Sequence, residues 1–146
     1  MDPGAAEQSI SPIWLSHHAP DEYDRCVTVG HTHLCRRCVV LYPITFAVLI
    51  LARAGVRWPT SLDVYLVLIL SLPTVGEFVF EHVGLIRYRP RRQDLLTIPA
   101  GIALGVSFDR YLHNHTDPLF WATAVAYSVA GFAAVMLGAR LERGRA

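Results

Sequence analysis

The chain has 146 residues, of which 53% are hydrophobic and only 17% are charged. Soluble domains average about 25% charged residues, so this composition favours a protein whose main solvent is lipid. The formal net charge of +1 is too small to indicate a nucleic-acid partner. The sequence therefore predicts a membrane protein, with membrane lipids as its first partner.

The first predicted region comprises residues 1–37, which are polar and acidic and include several histidines. It has no apolar stretch of the kind that a secretory signal needs. We therefore expect the first hydrophobic span to remain in the mature protein, with residues 1–37 as a cytosolic cap in front of it.

The cap ends in the segment CVTVGHTHLCRRC, residues 26 to 38, which holds all three cysteines of the chain. In the cytosol these thiols stay reduced, which favours metal ligation over disulfides. Thiolate and imidazole ligands suit a tetrahedral zinc ion, although iron and copper also stay open. The predicted ligands are Cys26, Cys35, Cys38 and one histidine, for which His18 and His33 are preferred over His17 and His31. Otherwise, the cysteines pack only as small hydrophobic residues.

Four hydrophobic stretches follow, at residues 38–56, 62–86, 95–112 and 119–139. A helix needs about 20 mostly apolar residues to cross a bilayer. Ten arginines fall on one side of these spans and three on the other, and cytoplasmic loops carry the positive excess. The sequence thus predicts an all-α integral membrane protein with four transmembrane helices in residues 38–141. Its tail at residues 142–146 and its N-terminal cap would both be cytosolic.

Two acidic residues, Glu77 and Glu81, lie one helical turn apart in the second span. At 1.5 Å per residue from Arg87, Glu81 lies roughly 9 Å and Glu77 roughly 15 Å into the membrane. An ionisable group there costs at least about 2.5 kcal/mol unless it is paired, so the two carboxylates are candidate site residues. They would bind a cation together with His82, relay protons, or pair with arginines such as Arg87.

Small residues in the last two spans predict close helix packing. Gly101 and Gly105 form a GxxxG motif in the third span. The fourth span carries a ridge with a small residue at every fourth position, made of Ala122, Ala126, Ala130, Ala134 and Gly138. We predict that this ridge meets the third span, a second copy of the chain or a partner membrane subunit.

The segment FDRYLHNHTDP, between the third and fourth spans, gathers further polar residues. They are Asp109, His113, His115 and Asp117. Histidines with carboxylates can bind a metal ion, but a short loop of this composition is also typical of a solvated turn.

Several of these positions resemble a family of small bacterial and archaeal predicted membrane proteins of unknown function. The family signature CxRCxGxY opens the first span and matches here at Cys35, Arg37, Cys38 and Tyr42. Further matches are His18, Gly84, Arg87 and Gly101, whereas His17, Val40, Glu77, Glu81 and Thr97 depart from the pattern. The resemblance implies that the polar positions form one site, and it brings no established activity.

Taken together, the residues predict a small multi-pass protein of the cell membrane with a metal site at the cytosolic face, next to the intramembrane carboxylates. A second interpretation is a metal-dependent enzyme that acts on a lipid or amphiphile, with Glu77 or Glu81 as the base. In that case Arg87, Arg91 and Arg92 would hold an anionic headgroup. A third interpretation is an ion or proton carrier that uses Glu77 and Glu81, and a fourth is an accessory subunit without chemistry.

Overall fold

The computed structural model describes residues 12–16, 18, 20–56 and 58–144. The chain divides into two compact units, residues 1–39 and 40–146. His17, one of the candidate ligands, lies outside the described residues.

The first unit is built around a β-hairpin. A short helix α1 (Ile13–Ser16) and a 3-10 segment (Pro20–Arg25) precede the antiparallel strands β1 (Cys26–Val29) and β2 (Thr32–Cys35). Strand β1 is rich in β-branched residues, which favour extended backbone. Gly30 opens the two-residue connection at a φ of 62°, a conformation that glycine adopts without strain. This small sheet departs from the all-α prediction, although the chain is predominantly helical.

Four longer helices make up the rest of the chain. They are α2 (Arg36–Arg53), α3 (Asp63–His82), α4 (Pro90–His113) and α5 (Pro118–Arg143). Three helical segments are long and apolar enough to cross a membrane, at Thr60–His82, Pro90–His113 and Pro118–Leu141. Helix α2 has 18 residues and lies outside that set. The helical membrane character predicted from hydropathy is therefore present in at least three of the four predicted spans.

Helix α4 is longer than its hydropathy predicts. It begins at Pro90 and continues through Asp109 and Arg110 to His113. Proline is favourable in the first turn of a helix because its missing N–H would have no partner there. The charged residues near the other end form ion pairs, so they extend the helix instead of interrupting it.

The buried side of α3 is largely polar, which reverses the pattern of a soluble helix. Its buried residues are Asp63, Val67, Ser71, Glu77 and Glu81. Large apolar side chains such as Tyr65, Ile69 and Leu72 are instead more than half exposed. This arrangement suits a helix whose outer surface meets lipid, because the polar groups then find partners inside the bundle.

The GxxxG motif of α4 packs against α2. A methyl group on Gly101 would lie 2.8 Å from Cβ of Ile44, and one on Gly105 would lie 2.6 Å from Cβ of Val48. The Thr45 hydroxyl donates a hydrogen bond of 3.2 Å to the Gly101 carbonyl. The two glycines therefore allow α2 and α4 to approach closely, as the motif predicts.

The small-residue ridge of α5 is only partly buried. Ala134 and Gly138 are buried, whereas Ala122 and Ala126 are exposed. A methyl group on Gly138 would overlap the carbonyl oxygen of His82, so the ends of α5 and α3 lie together. At Gly138 the ridge thus meets the end of α3, and its contact with a second copy or partner subunit stays a prediction for the exposed alanines.

Candidate functional site

The three cysteines, called the thiol cluster below, gather at the end of the hairpin away from its turn. Cys26 and Cys35 are directly opposite each other in the strand register, so their Cα atoms are about 5 Å apart. Cys38 lies in the first turn of α2, where its thiol donates a hydrogen bond to the sulfur of Cys35. All three thiols are free, and Cys26 and Cys35 are buried.

Cys35 sits at the junction between β2 and α2, where a helix N-terminus favours an anion. The hydrogen bond from the Cys38 thiol lowers the pKa of Cys35 to about 5, although burial opposes this shift. The backbone N–H groups of Arg37 and Cys38 also donate to the Cys35 sulfur. By contrast, the pKa of Cys26 is raised, first by burial and then by repulsion from Cys35. The hydrogen bonds that Cys35 accepts all favour its thiolate form.

Two of the candidate histidines differ in their distance from the thiol cluster. His18 is close enough to Cys35 to stabilise its thiolate, and its ring Nδ1 lies 3.3 Å from Glu22 Oε2. The carbonyl of His18 accepts a hydrogen bond of 3.0 Å from the Ser16 hydroxyl. His31 lies in the turn at the opposite end of the hairpin. The geometry favours His18 over His31 as a companion of the cysteines.

His33, the second preferred histidine, has an aromatic partner. It is opposite Thr28 in the hairpin, and its ring stacks on that of Tyr23 with centroids 3.9 Å apart. It shares a strand face with Cys35 because the two residues are two positions apart. His33 therefore makes an aromatic contact in the cap, on the same strand face as Cys35.

In the structure, these side chains make hydrogen bonds and are not arranged around one shared position for a metal ion. The thiol of Cys26 points to the Ser16 carbonyl at 3.7 Å, while Cys38 points to Cys35. Across the described part of the chain, no group of three or more His, Cys, Asp or Glu side chains is arranged to hold a metal ion. The predicted zinc site is therefore not preformed among these residues.

Glu77, one of the two carboxylates of the predicted second span, is paired with an arginine. Nε of Arg92 donates to Glu77 Oε1 at 3.0 Å, and the Glu77 side chain is only 2% exposed. The same guanidinium donates to the carbonyl of Arg87 at 2.6 Å. Of the three roles predicted for the carboxylates, pairing with an arginine is the one that this contact supports, with Arg92 in place of Arg87.

The remaining members of that predicted site are Glu81 and His82. Glu81 is buried one turn further along α3. The ring of His82 is hydrogen-bonded at 2.8 Å to the Phe78 carbonyl and is tilted against the Phe78 ring. Because His82 is engaged with Phe78, it does not complete a cation site with the two carboxylates in the described structure.

The three arginines predicted to hold a headgroup point in different directions. Arg87 and Arg91 are exposed, whereas Arg92 is turned inward to Glu77. Arg89, which was not included in the predicted set, is exposed between them. The sequence RYRPRR does not show which of these arginines turns inward, because that depends on the residue at which α4 begins.

At the other end of the helices, one arginine joins two buried carboxylates. Arg110 NH1 lies 2.7 Å from Asp63 Oδ2, and its NH2 lies 2.6 Å from Asp117 Oδ2. We call these three residues the Arg110 clamp. Asp63 also accepts a 2.7 Å hydrogen bond from the Trp58 indole. The clamp connects the start of α3, the end of α4 and the residue before α5, and the sequence interpretation missed it.

The clamp uses one of the residues predicted for a metal site in this region. Asp117 bonds Arg110, and Asp109 instead lies 4.0 Å from Arg53 and 3.6 Å from His113. His115 packs its ring edge-on against Tyr111. No metal-binding group is found among these described residues, and their carboxylates serve ion pairs instead.

Asp117 also caps helix α5. Its Oδ1 accepts a 2.9 Å hydrogen bond from the backbone N–H of Phe120, the geometry of an N-cap aspartate. The hydrogen bond from Arg110 lowers the pKa of the Asp117 carboxyl below its ordinary value, although burial opposes the shift. This carboxylate is therefore charged throughout the neutral range.

A cavity of about 390 Å³ lies between α3, α4 and α5. Its lining includes the hydroxyl groups of Ser71, Thr74, Thr123 and Tyr127, which bond one another or the backbone. The Ser71 hydroxyl is 2.6 Å from the Tyr127 hydroxyl, and Thr123 donates to the Leu119 carbonyl at 2.8 Å. These four hydroxyls are thus engaged within the bundle, and the cavity presents mainly apolar walls.

Comparison of the chain with protein-family models, curated proteins and solved structures finds no match. The resemblance to the CxRCxGxY family therefore stays a prediction. The function is therefore inferred from the sequence and structure of this chain alone.

Proposed function

We propose that the chain is a multi-pass membrane protein whose N-terminal cap binds a transition metal ion through Cys26, Cys35, Cys38 and His18, with zinc as the expected metal. The observation that carries this proposal is the convergence of the thiol cluster. The hairpin register sets Cys26 opposite Cys35, and the first turn of α2 brings Cys38 to the same sulfur.

The second support is the position of Cys35 at the start of α2. Backbone N–H groups of Arg37 and Cys38 are directed at its sulfur, and such donors orient and stabilise a coordinating thiolate. His18 lies on the same side and is oriented by Glu22. A carboxylate that accepts the other ring proton of a ligating histidine is a common outer partner in zinc sites.

Metal binding would require a local rearrangement of two thiols. Cys26 would exchange its 3.7 Å contact with the Ser16 carbonyl for a bond to the ion, and Cys38 would exchange its hydrogen bond to Cys35. Both changes are rotations about the side-chain bond of a cysteine and leave the hairpin register intact. Four protein ligands would then close the coordination shell, which is typical of a structural zinc ion.

We also propose that α2 is the fourth span, with both chain termini in the cytosol. Its residues Ile44 to Val48 pack against the GxxxG motif of α4, a helix that is long enough to cross the membrane. The orientation follows from the arginine excess at the end formed by the α3–α4 connection and the end of α5.

A cap of this size gains folding free energy directly from a bound metal.

The test is the metal content of the reduced, detergent-purified protein, measured by elemental analysis. We expect about one zinc ion per chain in the wild type and loss of that zinc in Cys35→Ser/Cys38→Ser. His31→Ala is the matched control, because His31 lies at the far end of the same hairpin and its replacement should leave the zinc in place.

Two results would overturn the proposal. One is a reduced wild-type protein that contains no transition metal and takes up none when zinc is added. The second is equal zinc content in the wild type and the double serine variant. Mass analysis after thiol alkylation would verify, in the first case, that all three cysteines are reduced.

A further inference from the structure

Five arginines are exposed at one end of the helices, and we call them the arginine rim. They are Arg87, Arg89, Arg91, Arg140 and Arg143. The first three belong to the α3–α4 connection and the first turn of α4, and the last two to the end of α5. Gly138 packs against the carbonyl of His82, so the end of α5 lies beside the end of α3. The arginine rim is therefore one feature of the bundle.

The acidic side chains that the structure describes at this end are buried or half-buried. Glu77 and Glu81 are buried, and Asp94 is half-buried. Arg92 neutralises Glu77 and is not part of the arginine rim. Among the side chains that the structure describes there, the exposed charge is thus entirely positive.

The backbone of the connection presents two of these arginines together. Arg89 is extended, with φ of −143° and ψ of 113°, and alternate residues of an extended segment point to the same side. Tyr88, between Arg87 and Arg89, turns to Gln93 and donates a 3.4 Å hydrogen bond to it. Arg87 and Arg89 are therefore directed away from the bundle.

An apolar anchor adjoins these charges. Leu85 is 71% exposed and lies in the same connection. Helices α3, α4 and α5 are long enough to cross the hydrocarbon layer, which places their ends at the level of the lipid headgroups. The planar guanidinium donates two hydrogen bonds at once to a phosphate group. Exposed arginines beside an exposed leucine at that depth match a phosphate above an acyl chain.

We infer that the arginine rim binds the phosphate groups of anionic phospholipids. The inference does not depend on the metal-binding cap, because every residue in it belongs to the helical unit. A free phosphate ion offers the same charge but no acyl chain, so the exposed Leu85 favours a lipid over a soluble anion. Basic residues next to a membrane span commonly bind anionic lipids in this way.

The experiment uses the full-length protein in neutral detergent micelles and counts bound lipid by native mass spectrometry. Phosphatidylglycerol and phosphatidylcholine of the same chain length are titrated separately. We expect a preference for phosphatidylglycerol that Arg87→Gln/Arg89→Gln/Arg91→Gln weakens by roughly a hundredfold, since each basic residue near an anionic surface contributes roughly fivefold. Arg53→Gln, an exposed arginine at the other end of the bundle, should bind as the wild type does.

A second variant separates charge from folding. Arg87→Lys/Arg89→Lys/Arg91→Lys keeps the charge and should retain affinity for phosphatidylglycerol to within about tenfold of the wild type. Equal affinity of the glutamine and lysine triple variants would overturn the inference. Equal wild-type binding of the two lipids would also overturn it. So would displacement of phosphatidylglycerol by inorganic phosphate at matched concentration, because the rim would then be a general anion site.

Discussion

The two ends of the helical unit carry charge in opposite ways. At the end where α3 begins, Arg110 is enclosed by Asp63 and Asp117, whose side chains are 5% and 7% exposed. At the end where α3 finishes, Arg92 is engaged by Glu77 while the arginine rim remains exposed. At the end where α3 begins, the charged side chains pair and hold the helices together. The end where α3 finishes has more arginines than its ion pair needs.

The difference follows from the cost of isolated charge near hydrocarbon. A buried carboxylate needs a close cation, and at each end an arginine donates to a buried carboxylate. Only the excess positive charge can then orient the protein or attract a ligand. The clamp is therefore predicted to matter for stability, and the arginine rim for lipid binding.

The largest effect is expected from Arg110→Ala, which leaves Asp63 and Asp117 buried without their shared cation. Removal of one partner from a buried ion pair typically costs about 3 kcal/mol or more. Reversible unfolding in mixed detergent and dodecyl sulfate micelles, followed by far-ultraviolet circular dichroism, measures the free energy of unfolding. Arg53→Ala is the control, because its 4.0 Å pair with Asp109 is half-exposed and should contribute less than about 1 kcal/mol.

Equal effects of these two substitutions would contradict the comparison. They would mean that Arg110 acts as an ordinary surface charge. Restoration of stability in Arg110→Lys would indicate that charge alone suffices, whereas the two-sided contacts of Arg110 predict only partial rescue.

A smaller effect is expected from Arg92→Ala at the opposite end. Glu77 would lose its hydrogen-bonded contact with the Arg92 guanidinium, and we expect a loss of about 2 kcal/mol. Arg91→Ala changes the adjacent, exposed arginine and should alter stability by less than about 0.5 kcal/mol. The same unfolding measurement compares them.

The added change Glu77→Gln sharpens this second prediction. A neutral amide has no buried charge to neutralise, so Arg92→Ala should cost less in that background. Additive losses in the double variant would show that Arg92 stabilises the protein through another contact, such as its hydrogen bond to the Arg87 carbonyl.

Hydropathy predicted the positions of the helices better than it predicted which charged side chains pair. Long apolar runs are required of any span, so the helices α3, α4 and α5 follow from composition and length. The cluster of polar residues on α3 also identified Glu77 and Glu81 as buried and costly. The sequence alone did not identify the arginine that pairs with Glu77. Arg87 and Arg92 are both candidates until the start of α4 at Pro90 is known.

The parts that were missed depend on tertiary contacts. Asp63 and Arg110 are 47 positions apart, and no local pattern indicates that they meet. The hairpin in the cap was overlooked because its cysteines and histidines suggested metal chemistry, although Gly30 between two short β-branched segments was a usable signal. The structure brings the three predicted cysteines together, whereas their role as metal ligands stays a prediction and their hydrogen bonds could not be foreseen.

The smallest effect concerns the pH dependence of the Arg110 clamp. Arg110 lowers the pKa of Asp117, so the folded protein binds the proton of this carboxyl less readily than the unfolded chain does. The resulting stability is complete above the ordinary carboxyl pKa of about 3.9. It is lost as the pH falls through the lower pKa of the folded state. Asp117→Asn keeps an oxygen for the Phe120 N–H but removes the charge, and we expect it to cost on the order of 1 kcal/mol at pH 7. That difference from the wild type should shrink below about pH 4, whereas a constant difference down to pH 2 would show that it does not come from the charge of Asp117.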